Sequence, residues 1–232
     1  MSDTELSLKG HRQSVRDLIY VSLRTAISRG ALAPGQMLSE EQLSSSLNVS
    51  RTPLREALQR LTTEGLIERA DNGRISVKNV SLREATQLYA VRSVLEQLAA
   101  REACLNMTPE GLARLERAFG QMLTDENDPS KDVADSGGSF HAILHQIADN
   151  PINLRLLANL QVLISRYRYL STGRAKRTHH AVEEHEGILR ALATCDADAA
   201  AEAMRIHIEE SFASVRSALV ALEESQRLKA SE

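Results

Sequence analysis

One stretch limits this chain more than any other: Leu38-Ser39-Glu40-Glu41-Gln42-Leu43, followed by Asn48-Val49-Ser50-Arg51-Thr52-Pro53-Leu54-Arg55-Glu56-Ala57-Leu58. Ser39 with Gln42 three residues on is a capping box that opens a short helix. Asn48 marks a turn, and Ser50 caps another helix with Pro53 in its first turn, where a missing N–H costs little. Leu54, Ala57, Leu58 and Leu61 form the buried stripe of that helix, and Gly65 ends it. Its opposite face presents Arg51, Thr52 and Arg55 near the N-terminal end. A helix, a tight turn and a second helix with Arg and Thr exposed at its start is the arrangement that puts side chains into the major groove of DNA. Guanidiniums placed there reach phosphates or pair bidentately with guanine, each good pair contributing about 1–3 kcal/mol of discrimination.

The flanks complete a small domain. Residues 12–29 read as an amphipathic helix with Val15, Leu18, Ile19, Leu23, Ala26 and Ile27 at helical spacing, Gly30 as its stop and Pro34-Gly35 as the following turn. After Gly65, Leu66–Arg69 and Ile75–Val77 read as two strands around Asp71-Asn72-Gly73-Arg74, with Asn-Gly as the hairpin signal. Such a wing, with Arg74 at its tip, is placed to enter a minor groove. On an isolated helix Arg51 and Arg55 would be a solvated face; three helices and a wing favour the DNA reading. The expectation is a winged helix-turn-helix domain over residues 1–80.

Charge adds little to this case. Residues 1–80 carry 11 Lys and Arg against 9 acidic residues, and residues 81–232 carry 17 against 22, within a net charge of −3. Placement of the arginines, rather than bulk charge, has to carry nucleic-acid binding. Leu and Ala are abundant, aromatics make up 3% and there is no Trp, a helix-favouring composition. No run approaches the roughly 18–20 apolar residues of a membrane span, and the polar N-terminus lacks a signal-peptide core. Cys104 and Cys195 stand far apart and outside any CxxC, which reads as reduced thiols in a cytoplasmic protein.

From Ser81, a helix cap, the strand signals stop. Helices are expected over 82–104, 109–125, 131–149, 151–170, about 177–194 and 196–225, with Leu88, Val91, Leu95, Leu98 and Ala99 a typical apolar stripe. The fold class is therefore mainly α: the winged domain, then an all-helical bundle over 81–232 with room for an internal cavity.

The run PGQMLSEEQLSSSLNVSRTPLREALQRLTTEGLIER closely resembles the N-terminal domain of the GntR family of bacterial transcription regulators, the likeness covering about residues 12–79. It implies that Ser50, Arg51, Thr52 and Arg55 meet operator DNA and that Asn72, Gly73 and Arg74 reach the adjacent minor groove. Many relatives carry Arg where this chain has Glu41. The second region resembles the helical ligand-binding (FCD) domain of the FadR-type branch. The elements that match are Leu88-Tyr89-Ala90-Val91-Arg92-Ser93-Val94-Leu95-Glu96, Ser139-Phe140-His141, Asp149-Asn150-Pro151, Glu184-His185 and Met204-Arg205-Ile206-His207.

That resemblance implies a divalent metal of Zn, Ni or Mn type on His141, His185 and His207, with a small organic acid on or beside it. Neutral imidazoles suit such ions, and three of them leave coordination positions open. The fourth ligand of the family, an Asp or Asn one turn before the first His, is replaced here by Gly137. Asp135 could substitute if Gly137-Gly138 unwound the helix; otherwise three His and water hold the metal, or the pocket is metal-free. Arg92 is placed either to capture a carboxylate or to pair with Glu96, four residues on. Arg166, Arg168 and Arg174 are further candidates around the pocket.

The implied protein is a homodimeric regulator, usually a repressor, that binds double-stranded operator DNA and responds to a small carboxylate. The same regulator with a metal-free pocket is the alternative. A metal-dependent enzyme fused to a DNA-binding module is disfavoured, since only Glu184 beside His185 offers a general base and no nucleophile motif is present.

Overall fold

The computed structural model describes residues 14–128, 133–171 and 175–229. The chain divides into two compact units between Asn79 and Val80.

The first unit contains α1 (Val15–Ser28), β1 (Met37–Leu38), α2 (Glu40–Leu47), α3 (Arg51–Thr63), β2 (Ile67–Arg69) and β3 (Ile75–Val77). Its stops are local and explicit. Gly30 takes φ +73° after α1, and Gly65 takes φ +73° after α3, conformations in which a Cβ is strained. Asn48 provides the left-handed residue between α2 and α3 at φ +50°, so a single residue turns the chain from one helix towards the next.

Three features of this unit depart from expectation. Val15 and Leu18 are exposed, at 54% and 53%. The buried face of α1 is instead Ile19, Tyr20, Leu23 and Ile27. Tyr20 turns the helix this way because its hydroxyl donates to Glu64 at 2.6 Å and its ring lies 3.6 Å below the Arg60 guanidinium, which tie α1 to α3. Ser50 stands at the N-cap of α3 but makes no side-chain cap bond. A capping oxygen takes the N–H of the second or third helical residue, and here the third is Pro53, which has none. Finally, β1 is a strand where only a turn was expected; it pairs antiparallel with β3, giving the order β1-β3-β2.

Helices are the only regular elements among the described residues of the second unit: α4 (Leu82–Leu105), α5 (Pro109–Glu126), α6 (Val133–Ala148), α7 (Pro151–Ser171), α8 (Ala175–Ala193) and α9 (Ala197–Lys229). Ser81 and Thr108 cap α4 and α5 by accepting the N–H of Glu84 and Gly111. Ala85, Leu88, Ala99, Ala100 and Ala103 of α4 enter one core with Leu115, Phe140, Leu144, Ile164, Ile188, Met204 and Ile208. The small residues of α4 let its neighbours approach closely.

Val91 and Leu98 do not join that core. With Val94 and Leu105 they lie outside it, 40–81% exposed. The positions 91, 94, 98 and 105 fall on one face of a helix. α4 is apolar over more than one side, so a periodic pattern alone does not say which set turns inward. Among the described residues no helix is long and apolar enough to cross a membrane.

Candidate functional site

Two groups of side chains stand out, one on each unit. On the first, α3 buries Leu54, Ala57, Leu58 and Leu61 and so turns Arg51, Thr52 and Arg55 to solvent, with Ser50 exposed beside them. The wing turn is closed by Gly73 N–H donating to Ala70 O at 2.8 Å and Ala70 N–H donating to Arg74 O at 2.9 Å. Gly73 adopts φ +80°, the left-handed position of a hairpin loop. Asn72 Oδ1 accepts from Arg74 N–H at 3.1 Å, and Asn72, Gly73 and Arg74 are all exposed. Glu41 is exposed at the start of α2.

A residue the sequence reading passed over ties these parts together. Glu40 accepts from Arg55 Nε at 2.7 Å with one carboxylate oxygen and pairs with the terminal nitrogen of Arg69 at 3.4 Å with the other. Arg69 in turn donates to Gly73 O at 3.2 Å. The Arg55 bond, opposed by partial burial and assisted by Arg69, holds the Glu40 carboxyl below its ordinary range.

On the second unit α6, α8 and α9 bring His141, His185 and His207 together, one ring nitrogen of each within 4.8 Å of the others. All three are buried. Their ring centroids lie 4.4–5.2 Å apart. Each Nδ1 is committed outward: His141 to Glu96 Oε2 at 3.2 Å, His207 to Glu184 Oε2 at 2.7 Å, and His185 to the carbonyl of Ala181 at 2.6 Å. Carboxylate and carbonyl oxygens accept, so the proton sits on Nδ1 and the lone pair on Nε2. The Nε2 atoms of His141 and His207 are 3.2 Å apart, and two facing lone pairs at that distance repel unless a cation or a shared proton lies between them. An imidazole backed by a carboxylate or carbonyl on its far nitrogen is the usual support of a metal-binding histidine.

Burial, only partly countered by Glu96, pushes His141 below its ordinary pKa. Glu96 feels the opposite balance. Burial alone would raise it, but His141, His145 and Arg92 together hold it well below the carboxylate range. Its Oε2 also takes His145 Nε2 at 2.8 Å, and its Oε1 takes Arg92 Nε at 3.2 Å. Arg92 therefore forms the ion pair with Glu96 that was one of its two expected roles, and reaches the histidines through that carboxylate. The sequence reading treated Glu96 only as a partner for Arg92. The signal was present, since 85, 88, 92, 96, 99 and 103 share the inward register of α4.

Gly137 lies in α6 one turn before His141, and the helix runs unbroken through Gly137-Gly138, without the unwinding that one of the alternatives, substitution by Asp135, required. A Cβ built on Gly137 would meet the Cε1 and Nε2 atoms of His185 at 3.6 Å, ordinary contact distance. The position faces the histidines but supplies no ligand.

Arg166 does not join this group. It is 1% exposed and donates to Glu84 Oε2 at 2.8 Å, an oxygen that also accepts from the Tyr167 hydroxyl at 2.7 Å. Glu84 precedes Glu96 by twelve residues on α4, about 18 Å of helix. A buried Arg needs a carboxylate, and α4 offers Glu84 there. Arg174 lies outside the described residues, as does the side chain of Arg168. His179 is exposed and paired with Glu126.

The profile of "Bacterial regulatory proteins, gntR family" matches residues 16–77, and that of the "FCD domain" matches residues 87–210. The chain is a GntR-family transcription regulator. It is 32% identical to "HTH-type transcriptional repressor RspR" of Escherichia coli strain K12 over 88% of this chain and 90% of that protein. It is 30% identical to "Nta operon transcriptional regulator" of Aminobacter aminovorans over 77% and 84%. The solved structure of E. coli McbR/YncC shares the fold, with a TM-score of 0.78 at 22% identity over 89% of this chain and 99% of that one. Its family places it among DNA-binding transcription regulators rather than among enzymes.

Proposed function

We propose that this GntR-family regulator is a homodimeric, cytoplasmic repressor whose helical unit holds a divalent metal on His141, His185 and His207 and responds to a small carboxylate. The observation that carries the metal reading is the set of three buried imidazoles, each anchored through Nδ1 and each with a ring nitrogen within 4.8 Å of the others. An ion bound there supplies a Lewis-acidic anchor for an organic acid. Glu96 and Glu184 keep the rings in the ligating tautomer, and Arg92 places a positive charge beside Glu96.

Operator contact falls to Ser50, Arg51, Thr52 and Arg55 on α3 and to Asn72, Gly73 and Arg74 on the wing. A palindromic operator needs two such heads about one helical turn apart. The exposed stripe of Val91, Val94, Leu98 and Leu105 supports pairing through α4. An acid bound in the bundle acts by preferring one arrangement of the heads over another. Repression is supported by the similarity to the E. coli transcriptional repressor RspR.

The metal-free pocket remains the second reading, favoured by one observation: a single shared proton also satisfies the His141–His207 contact at 3.2 Å. Elemental analysis of protein purified without an affinity tag or chelator separates the two. About one Zn, Ni or Mn per chain, lost in a His185→Ala, His207→Ala variant, is expected. No metal after add-back would leave Arg92 as the anchor for an organic acid.

A further inference from the structure

A carboxylate on a DNA-reading surface is costly, because it repels the phosphates that the surrounding arginines attract. Glu40 is such a carboxylate. It stands in the first turn of α2, and its two oxygens are divided between arginines from two other elements, Arg55 of α3 and Arg69 of β2. Exposed ion pairs contribute little to stability. The pattern is better explained by orientation. Arg55 is held through Nε, and a guanidinium held on that edge still offers its two terminal nitrogens to the N7 and O6 of one guanine. Arg69 reaches on to the Gly73 carbonyl, so the same carboxylate links the helix that reads the major groove to the turn of the wing.

We propose that Glu40 is a positioning residue for operator recognition: shared between Arg55 and Arg69, it presents Arg55 end-on to a base and fixes the wing against α3. The proposal rests on Arg55 being an operator contact. It separates two quantities that a simple charge effect would move together. Removing a negative charge strengthens binding to any DNA, whereas losing the Arg55 geometry weakens binding to the preferred sequence alone.

The test uses the full chain and the duplex that the wild type selects from a randomised library, with calf-thymus DNA as the non-specific probe at fixed salt. Glu40→Ala is expected to weaken binding to the selected duplex at least about fivefold, the low end for one lost guanine contact, while calf-thymus binding is unchanged or tighter. Glu40→Gln, which still accepts from Nε, is expected to recover part of the ratio. Combining Glu40→Ala with Arg55→Ala is expected to add little to Arg55→Ala alone. An unchanged ratio of specific to non-specific affinity in Glu40→Ala, or full additivity with Arg55→Ala, overturns the proposal. If Arg55→Ala itself binds the selected duplex like wild type, the assignment of Arg55 falls first and the proposal with it.

Discussion

Gly137 is one turn from His141 and faces His185, and a Cβ there would lie at ordinary contact distance from the ring. Gly137→Asp is expected to raise affinity for Zn²⁺ about tenfold or more, equivalent to ~1.4 kcal/mol, as read by competition with a chromogenic chelator. The metal-free variant should melt below wild type, because a buried carboxylate without a counter-charge is penalised. Unchanged affinity would place residue 137 outside the coordination sphere. Legibility at this scale was uneven. The three histidines were visible through a resemblance, but what holds them was not. Glu184 entered only as a possible base, whereas it carries His207. Arg166 looked like a pocket residue because an Arg within an apolar helix gives no hint of its partner 82 positions earlier in the chain.

Elements were read more reliably than residues, since caps and stops are local chemistry. Ser39, Ser81, Gly30 and Gly65 each act where the sequence put them. β1 was missed because two residues show no alternation, and its partner lies almost forty positions on. The face of α4 was half legible, because residues 88 and 99 turn inward while 91 and 98 do not. Asn48 sets the angle between α2 and α3 from the left-handed region. Asn48→Ala is expected to cost about 1 kcal/mol and Asn48→Gly close to nothing, as measured by chemical denaturation of the full chain. Equal losses in both would mean that the Asn side chain, not its backbone, stabilises the turn.

At the scale of the molecule, the exposed apolar face of α4 carries the prediction. Val94→Glu with Leu98→Glu is expected to convert a dimer to a monomer in sedimentation velocity and to weaken operator binding at least about tenfold, since two heads then engage separately. A dimer that survives both changes would move the interface elsewhere. The bundle also has a property that belongs to polymers rather than to sites. His141, His185 and His207 are separated by 44 and 22 residues of chain and come from three different helices. On the proposed metal reading, an ion among them closes two loops at once, as a pair of disulfides would, but by a bond that exchanges with the surrounding solution. The chain's conformational freedom then becomes a function of free metal concentration.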